Sequence, residues 1–139
     1  MISFFVDGKA VPAVRMTQKS KYVDPAAKRY MAYKRFVGLT AKSVMNKQAI
    51  QKIEDGTVSV QIDIFYEIPK SYTKKRKTEI YDSDYQIRPS VRGDIDNVAK
   101  SILDGMNGIC FKDDIQVAEL IVNKRFDVSA GVSVLVKEI

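Results

Sequence analysis

From Val58 to Pro69 the chain alternates with a period of two. Val58, Val60, Ile62, Ile64, Tyr66 and Ile68 fall on one face, and Ser59, Gln61, Asp63 and Glu67 on the other. Successive side chains of a strand point to opposite faces, so this segment is a half-buried β-strand, and Pro69, lacking an N–H, ends it. A strand with one dry face needs something to cover it. Two segments of helical period can do so. Asp24-Pro25 is a helix start, with Asp as N-cap and Pro at the first helical position, where its missing N–H costs nothing. Ala26, Tyr30, Tyr33, Val37, Ala41 and Val44 then recur at helical spacing. Gly38 weakens that helix by about 1 kcal/mol relative to Ala and marks a candidate kink. Further on, Ile95, Val98, Ala99, Ile102, Leu103 and Met106 define an amphipathic helix closed by Asn107-Gly108.

Residues 2–6 read as a short strand ending at Asp7-Gly8, and residues 115–126 and 132–138 as two more, joined near Ala130-Gly131 as a candidate hairpin. The order β-α-β-α-β-β predicts one α+β domain over residues 1–139, with helices packed on a mixed or antiparallel sheet. A polar, basic loop fills Lys9–Val23. A second polar stretch, from Lys70 to about Gly93, reads as a long loop, either functional or simply charged and solvated.

With 139 residues the chain can bury a core without disulfides, and its lone Cys110 excludes an internal one. The opening Met-Ile-Ser-Phe-Phe-Val-Asp has no basic n-region, and no apolar run approaches the roughly 20 residues that span a bilayer. A cytoplasmic protein with no membrane partner is expected. Histidine is absent, which rules out Ser-His-Asp, Cys-His and His-zinc chemistry. Lys plus Arg (23) exceeds Asp plus Glu (17), a net +6 that suits a phosphate-rich partner without requiring one.

Against that positive background stands Arg92-Gly-Asp94-Ile-Asp96-Asn97-Val-Ala-Lys100, followed by Asp113-Asp114. Residues two apart share a face only on extended backbone, so Asp94 is expected to be extended and Asp96 to sit at the helix entrance. Lys100 lies one turn beyond Asp96, and Asp104 another turn on, along an edge away from the apolar face. A plainer reading is available: Asp and Asn cap helices, Asp96–Lys100 is an ordinary i,i+4 pair, and Asp113-Asp114 is a turn. Converging carboxylates are another matter. Two of them ~4 Å apart repel by about 4 kcal/mol at an effective dielectric of 20, so a shared pocket needs a cation or a retained proton. Oxygen ligands without His or Cys suit magnesium or manganese, not zinc. Clustered carboxylates in a basic chain point to a metal-dependent enzyme acting on nucleic-acid phosphodiesters.

Asp94-x-Asp96-Asn97-x-x-Lys100, Asp104-Gly-x-Asn-Gly108, Asp113-Asp114-x-Gln116-Val117 and Lys124 together resemble the RusA family of Holliday junction resolvases of bacteria and their prophages. Val11-Pro12-x-x-Arg15 and the Asp24-Pro25 helix start are also similar to that family. The resemblance implies a RusA-like fold and a homodimer that nicks four-way DNA junctions in symmetrical pairs during recombination and repair. It also implies that Asp94, Asp96 and Asp114 are the magnesium-binding catalytic carboxylates, with manganese a possible substitute, and Lys100 the catalytic lysine. It ranks Asp114 above its neighbour Asp113. Asp113 and Asp104 are left as supporting groups.

Junction binding would draw on Arg15, Lys19 and Lys21, on Lys70, Lys74, Lys75, Arg76 and Lys77, and on Arg88, Arg92 and Lys124. Tyr72, Tyr81 and Tyr85 are candidates to stack on unpaired bases, or to pack on the domain. The same residues would also serve a less selective magnesium nuclease on flaps, forks or single strands. A small nucleic-acid-binding module with charged helix caps and an adaptor with a basic loop are the non-enzymatic readings.

Overall fold

The alternating segment forms β2 (Val58–Glu67), an inner strand of a four-stranded sheet ordered β1-β4-β2-β3. A computed structural model of the chain describes residues 1–19, 23–90 and 93–139. β1 (Ile2–Asp7) pairs antiparallel with β4 (Gly131–Glu138), and β4 pairs antiparallel with β2. β3 (Val117–Asp127) runs parallel to β2 at the sheet edge. The sheet is therefore mixed. The expected hairpin between the last two strands does not form, because β2 lies between them. A parallel pair needs a long crossover, and here residues 68–116 supply it.

Alternation on β2 does what the sequence implies: Val58, Val60, Ile62, Ile64 and Tyr66 are all buried. They join Val132, Val134 and Val136 of β4 and Ile2, Phe4 and Val6 of β1 in a single core. α1 (Pro25–Lys47) and α3 (Ile95–Met106) cover that face, burying Tyr33, Val37 and Ala41 from one and Val98, Ile102 and Met106 from the other. Gly38 does not break α1, which runs unbroken past it. Its role is contact. A Cβ at Gly38 would meet the Gly105 carbonyl oxygen at 2.8 Å, and one at Gly105 would meet Val37 Cβ at 2.8 Å. The two helices cross backbone to backbone at this pair, and no larger residue fits there.

The stretch read as one long loop contains a further helix, α2 (Lys74–Asp82). The Thr73 hydroxyl caps it by accepting from Arg76 N at 3.1 Å, and Ile80 is its one buried residue. Four cations in the first turn oppose the helix macrodipole, and a single buried residue leaves no apolar period for the sequence to show. Among the described residues no helix is long and apolar enough to cross a membrane.

Candidate active site on one edge of α3

The entrance to α3 is fixed from outside the helix. Gly93 has φ +61, in the left-handed region, and a Cβ there would meet the Tyr66 hydroxyl at 2.9 Å. Only glycine suits both constraints. Lys124 Nζ, lying over the Tyr66 ring, donates to the Gly93 carbonyl at 3.2 Å. Ala13 N donates to the Asn97 carbonyl at 2.9 Å, tying the early basic loop to the first turn of the helix.

Asp94 occupies the N-cap position with extended backbone (φ −69, ψ 123), as expected, yet its carboxylate caps no backbone N–H. It accepts instead from the Asn97 side-chain amide at 3.1 Å. Asp96 follows in the first turn, exposed, with one oxygen accepting from Asn97 N at 3.0 Å. The ion pair that Lys100 makes is with Asp104, one turn onward, at 3.6 Å. The Asp104 carboxylate also accepts a hydrogen bond from the Tyr30 hydroxyl of α1.

The second acidic element arrives on a short 3-10 turn, Asp114–Gln116. Asp113 and Gln116 form a reciprocal capping box: Asp113 accepts from Ile115 N at 3.1 Å, while Asp113 N donates to Gln116 Oε1 at 3.0 Å. Gln116 further donates to the Gly56 carbonyl at 3.1 Å. Asp114 N donates to Asn107 Oδ1 at 3.1 Å, which fastens the turn to the end of α3. Thus Asp113 builds the turn and Asp114 is presented by it. The Asp114 carboxyl is held above the usual carboxylate range, first by a hydrogen bond with Asp113, then by partial desolvation and the charges of Asp113 and Asp104, with Lys100 opposing them.

Asp96, Lys100, Asp104 and Asp114 line one groove of about 520 Å³, whose apolar walls include Ile95, Leu103, Leu120 and Val122. Asp94 and Asp113 stand outside that lining. Among the described residues, no three acidic side chains converge closely enough to enclose a cation. Magnesium does not require such a cage, since it is usually held by one or two carboxylates together with water and substrate phosphates. An all-oxygen donor set of Asp96 and Asp114 in the groove fits that pattern, and Asp94 stands at the helix entrance two residues before Asp96.

The cationic residues divide by environment. Arg15, Lys19, Lys70, Lys74, Lys75 and Arg76 are exposed, and Lys77 is half-buried. Arg76 pairs with Glu79 at 3.6 Å. Arg88 donates to the Asn123 side chain at 2.7 Å, and Lys124 is engaged with Gly93. Lys21 and Arg92 lie outside the described residues. Of the tyrosines, Tyr72 packs edge-on against Phe126 and Tyr85 against Tyr81, which stays half exposed. Sequence reasoning missed Tyr30, Asn107 and Gln116 as parts of the site. Tyr30 carried only a core-spacing signal, Gln116 only a motif signal, and Asn107 those of a helix stop and of the motif.

A family profile described as Endodeoxyribonuclease RusA matches residues 6–137. The chain is also 30% identical over 116 residues to a Bacillus subtilis (strain 168) protein named "Uncharacterized protein YqaN", covering 84% of this chain and 78% of that one.

Proposed function

Because this chain belongs to the RusA endodeoxyribonuclease family, we propose that it resolves four-way DNA junctions in the cytoplasm by paired symmetrical nicks, as a magnesium-dependent homodimer. The observation that carries this reading is the groove: three carboxylates and a lysine line it, in a chain with net charge +6. Asp94, Asp96 and Asp114 are the residues that would hold magnesium, with manganese as a substitute. Such an ion supplies Lewis acidity toward a phosphoryl oxygen and a nucleophile at neutral pH.

The chain's own groups do the rest. The Lys100 ammonium, at the groove that Asp96 and Asp114 line, offsets negative charge gathering on the scissile phosphate. Exposed cations of α2 and of the early loop neutralise backbone phosphates and set the approach of the DNA. Each such contact steepens the salt dependence of binding by a log–log slope of about 0.9 on duplex. A symmetric pair of cuts calls for two sites related by a twofold axis, which a homodimer provides.

The test is cleavage of a synthetic four-way junction, with and without Mg²⁺, mapping both strands. Paired nicks at symmetric positions, absent in chelator and far weaker on linear duplex or Y-shaped DNA, are expected. Equal cutting of all three substrates would instead favour a less selective nuclease, and no cutting at all would leave a binding module.

A further inference from the structure

We propose that Tyr30 is a positioning residue of this site, fixing Asp104 and, through Asp104, the ammonium group of Lys100 at the groove wall. The inference rests on the nuclease reading above and deepens it. Tyr30 is 4% exposed, sits on a different helix, and lies 74 residues from Asp104 in sequence. Its hydroxyl donates to the same Asp104 oxygen, Oδ2, that stands 3.6 Å from Lys100 Nζ. One carboxylate oxygen thus joins a buried phenol to an exposed ammonium.

Lys100 needs such an anchor. Its side chain is 65% exposed and rides on a flexible four-carbon stem. An exposed i,i+4 pair by itself is too weak to hold one rotamer. Tying Asp104 to a buried, donating partner removes the freedom of the acceptor, so the lysine has one fixed point to meet. Tyr30 is itself held: Lys34 Nζ lies over its ring at 5.3 Å, and the helices are kept at contact spacing by Gly105, next to Asp104. Burial, then the hydrogen bond and charge of Asp104, push the phenol's pKa well up, so it remains a donor throughout the working range.

The same contact sorts the carboxylates. Three line the groove, but Asp104 is already engaged by a hydroxyl and an ammonium, which leaves Asp96 and Asp114 to face a cation.

Tyr30→Phe deletes the hydroxyl and keeps the ring. Expected is a fall in kcat on a four-way junction of about 10-fold, the scale of an outer partner's loss, with KM within about twofold and an unchanged melting curve. In a Lys100→Ala background, measured under single turnover, the same substitution should add nothing, because its effect passes through the lysine. A wild-type kcat for Tyr30→Phe, or the same fold loss in both backgrounds, overturns the proposal. Should Tyr30→Phe melt early, Asp104→Asn provides the second readout, with the kcat loss expected and a wild-type kcat overturning it. Asp96→Asn, run in parallel, separates the two failures. If it cuts normally, the nuclease site is wrong; if it is dead while Tyr30→Phe is normal, only the tyrosine's role is wrong.

Discussion

Two helices of this protein begin with aspartate at the same position and with nearly the same backbone. Asp24 (φ −82, ψ 118) opens α1 and accepts from Ala26 N at 2.9 Å, while Asp94 (φ −69, ψ 123) opens α3 and caps nothing. A capping bond contributes typically ~1 kcal/mol. α1 takes that stabilisation, and α3 forgoes it although the residue type and geometry are in place. The pattern recurs within one turn, where Asp113 caps and Asp114 does not. Asp24 and Asp113 cap backbone N–H groups and hold elements in place, whereas Asp94 and Asp114, at or next to such a start, cap none.

The largest effect that sharpens this contrast is expected from Asp114→Asn. Cleavage should drop by more than the ~10–100-fold typical of an outer partner. Stability should move the other way. The carboxyl's raised pKa means that its ionised form is worse off folded than unfolded. Its stabilising share is therefore full at low pH and lost as pH rises through the folded value. In metal-free buffer at neutral pH the variant should melt at or slightly above the wild-type temperature, with the difference closing below the usual carboxylate range. A variant that melts lower at neutral pH but still cuts would make Asp114 a structural residue, on the same side of the contrast as Asp24 and Asp113.

Next in size, Asp94→Ala and Asp24→Ala should part company. The first should lose cleavage with little change in melting, and the second should lose about 1 kcal/mol in a denaturant titration with its specific activity intact. If both lose stability equally, the distinction between the two helix starts fails. The smallest effect is expected from Asp113→Ala, which removes a cap from a three-residue turn. A stability loss of about 0.5–1 kcal/mol and a partial loss of activity, measured side by side with Asp114→Asn, would separate the builder of the turn from what it presents.

What is legible in the sequence is local. Asp24-Pro25, the alternation of β2 and the i, i+3, i+4 run of α3 each depend on neighbours a few residues away, and each appears as expected. The edge carrying Asp96, Lys100 and Asp104 is legible for the same reason, since one helical period fixes it. What stays hidden depends on distant pairing. Nothing in the β3 sequence says that it runs beside β2 in parallel, and its irregular burial blurs any alternation. Gly38 reads as a weakness until it is seen against its partner Gly105. Asp114 joins the groove through an amide on Asn107, and Asp104 is held by a phenol from another helix. Neither contact leaves a periodic trace.

Gly93 carries a consequence for anyone who randomises this region. It is hemmed in by the Tyr66 hydroxyl and held in a left-handed turn, so every replacement there strains the backbone. Asp94, one step along, is exposed, and its carboxylate makes no capping bond to the backbone of its helix. A saturation library scored for abundance should leave position 93 nearly blank and position 94 fully populated, while the same library scored for cutting should empty both. The border between folding and chemistry in this chain would then fall across a single peptide bond.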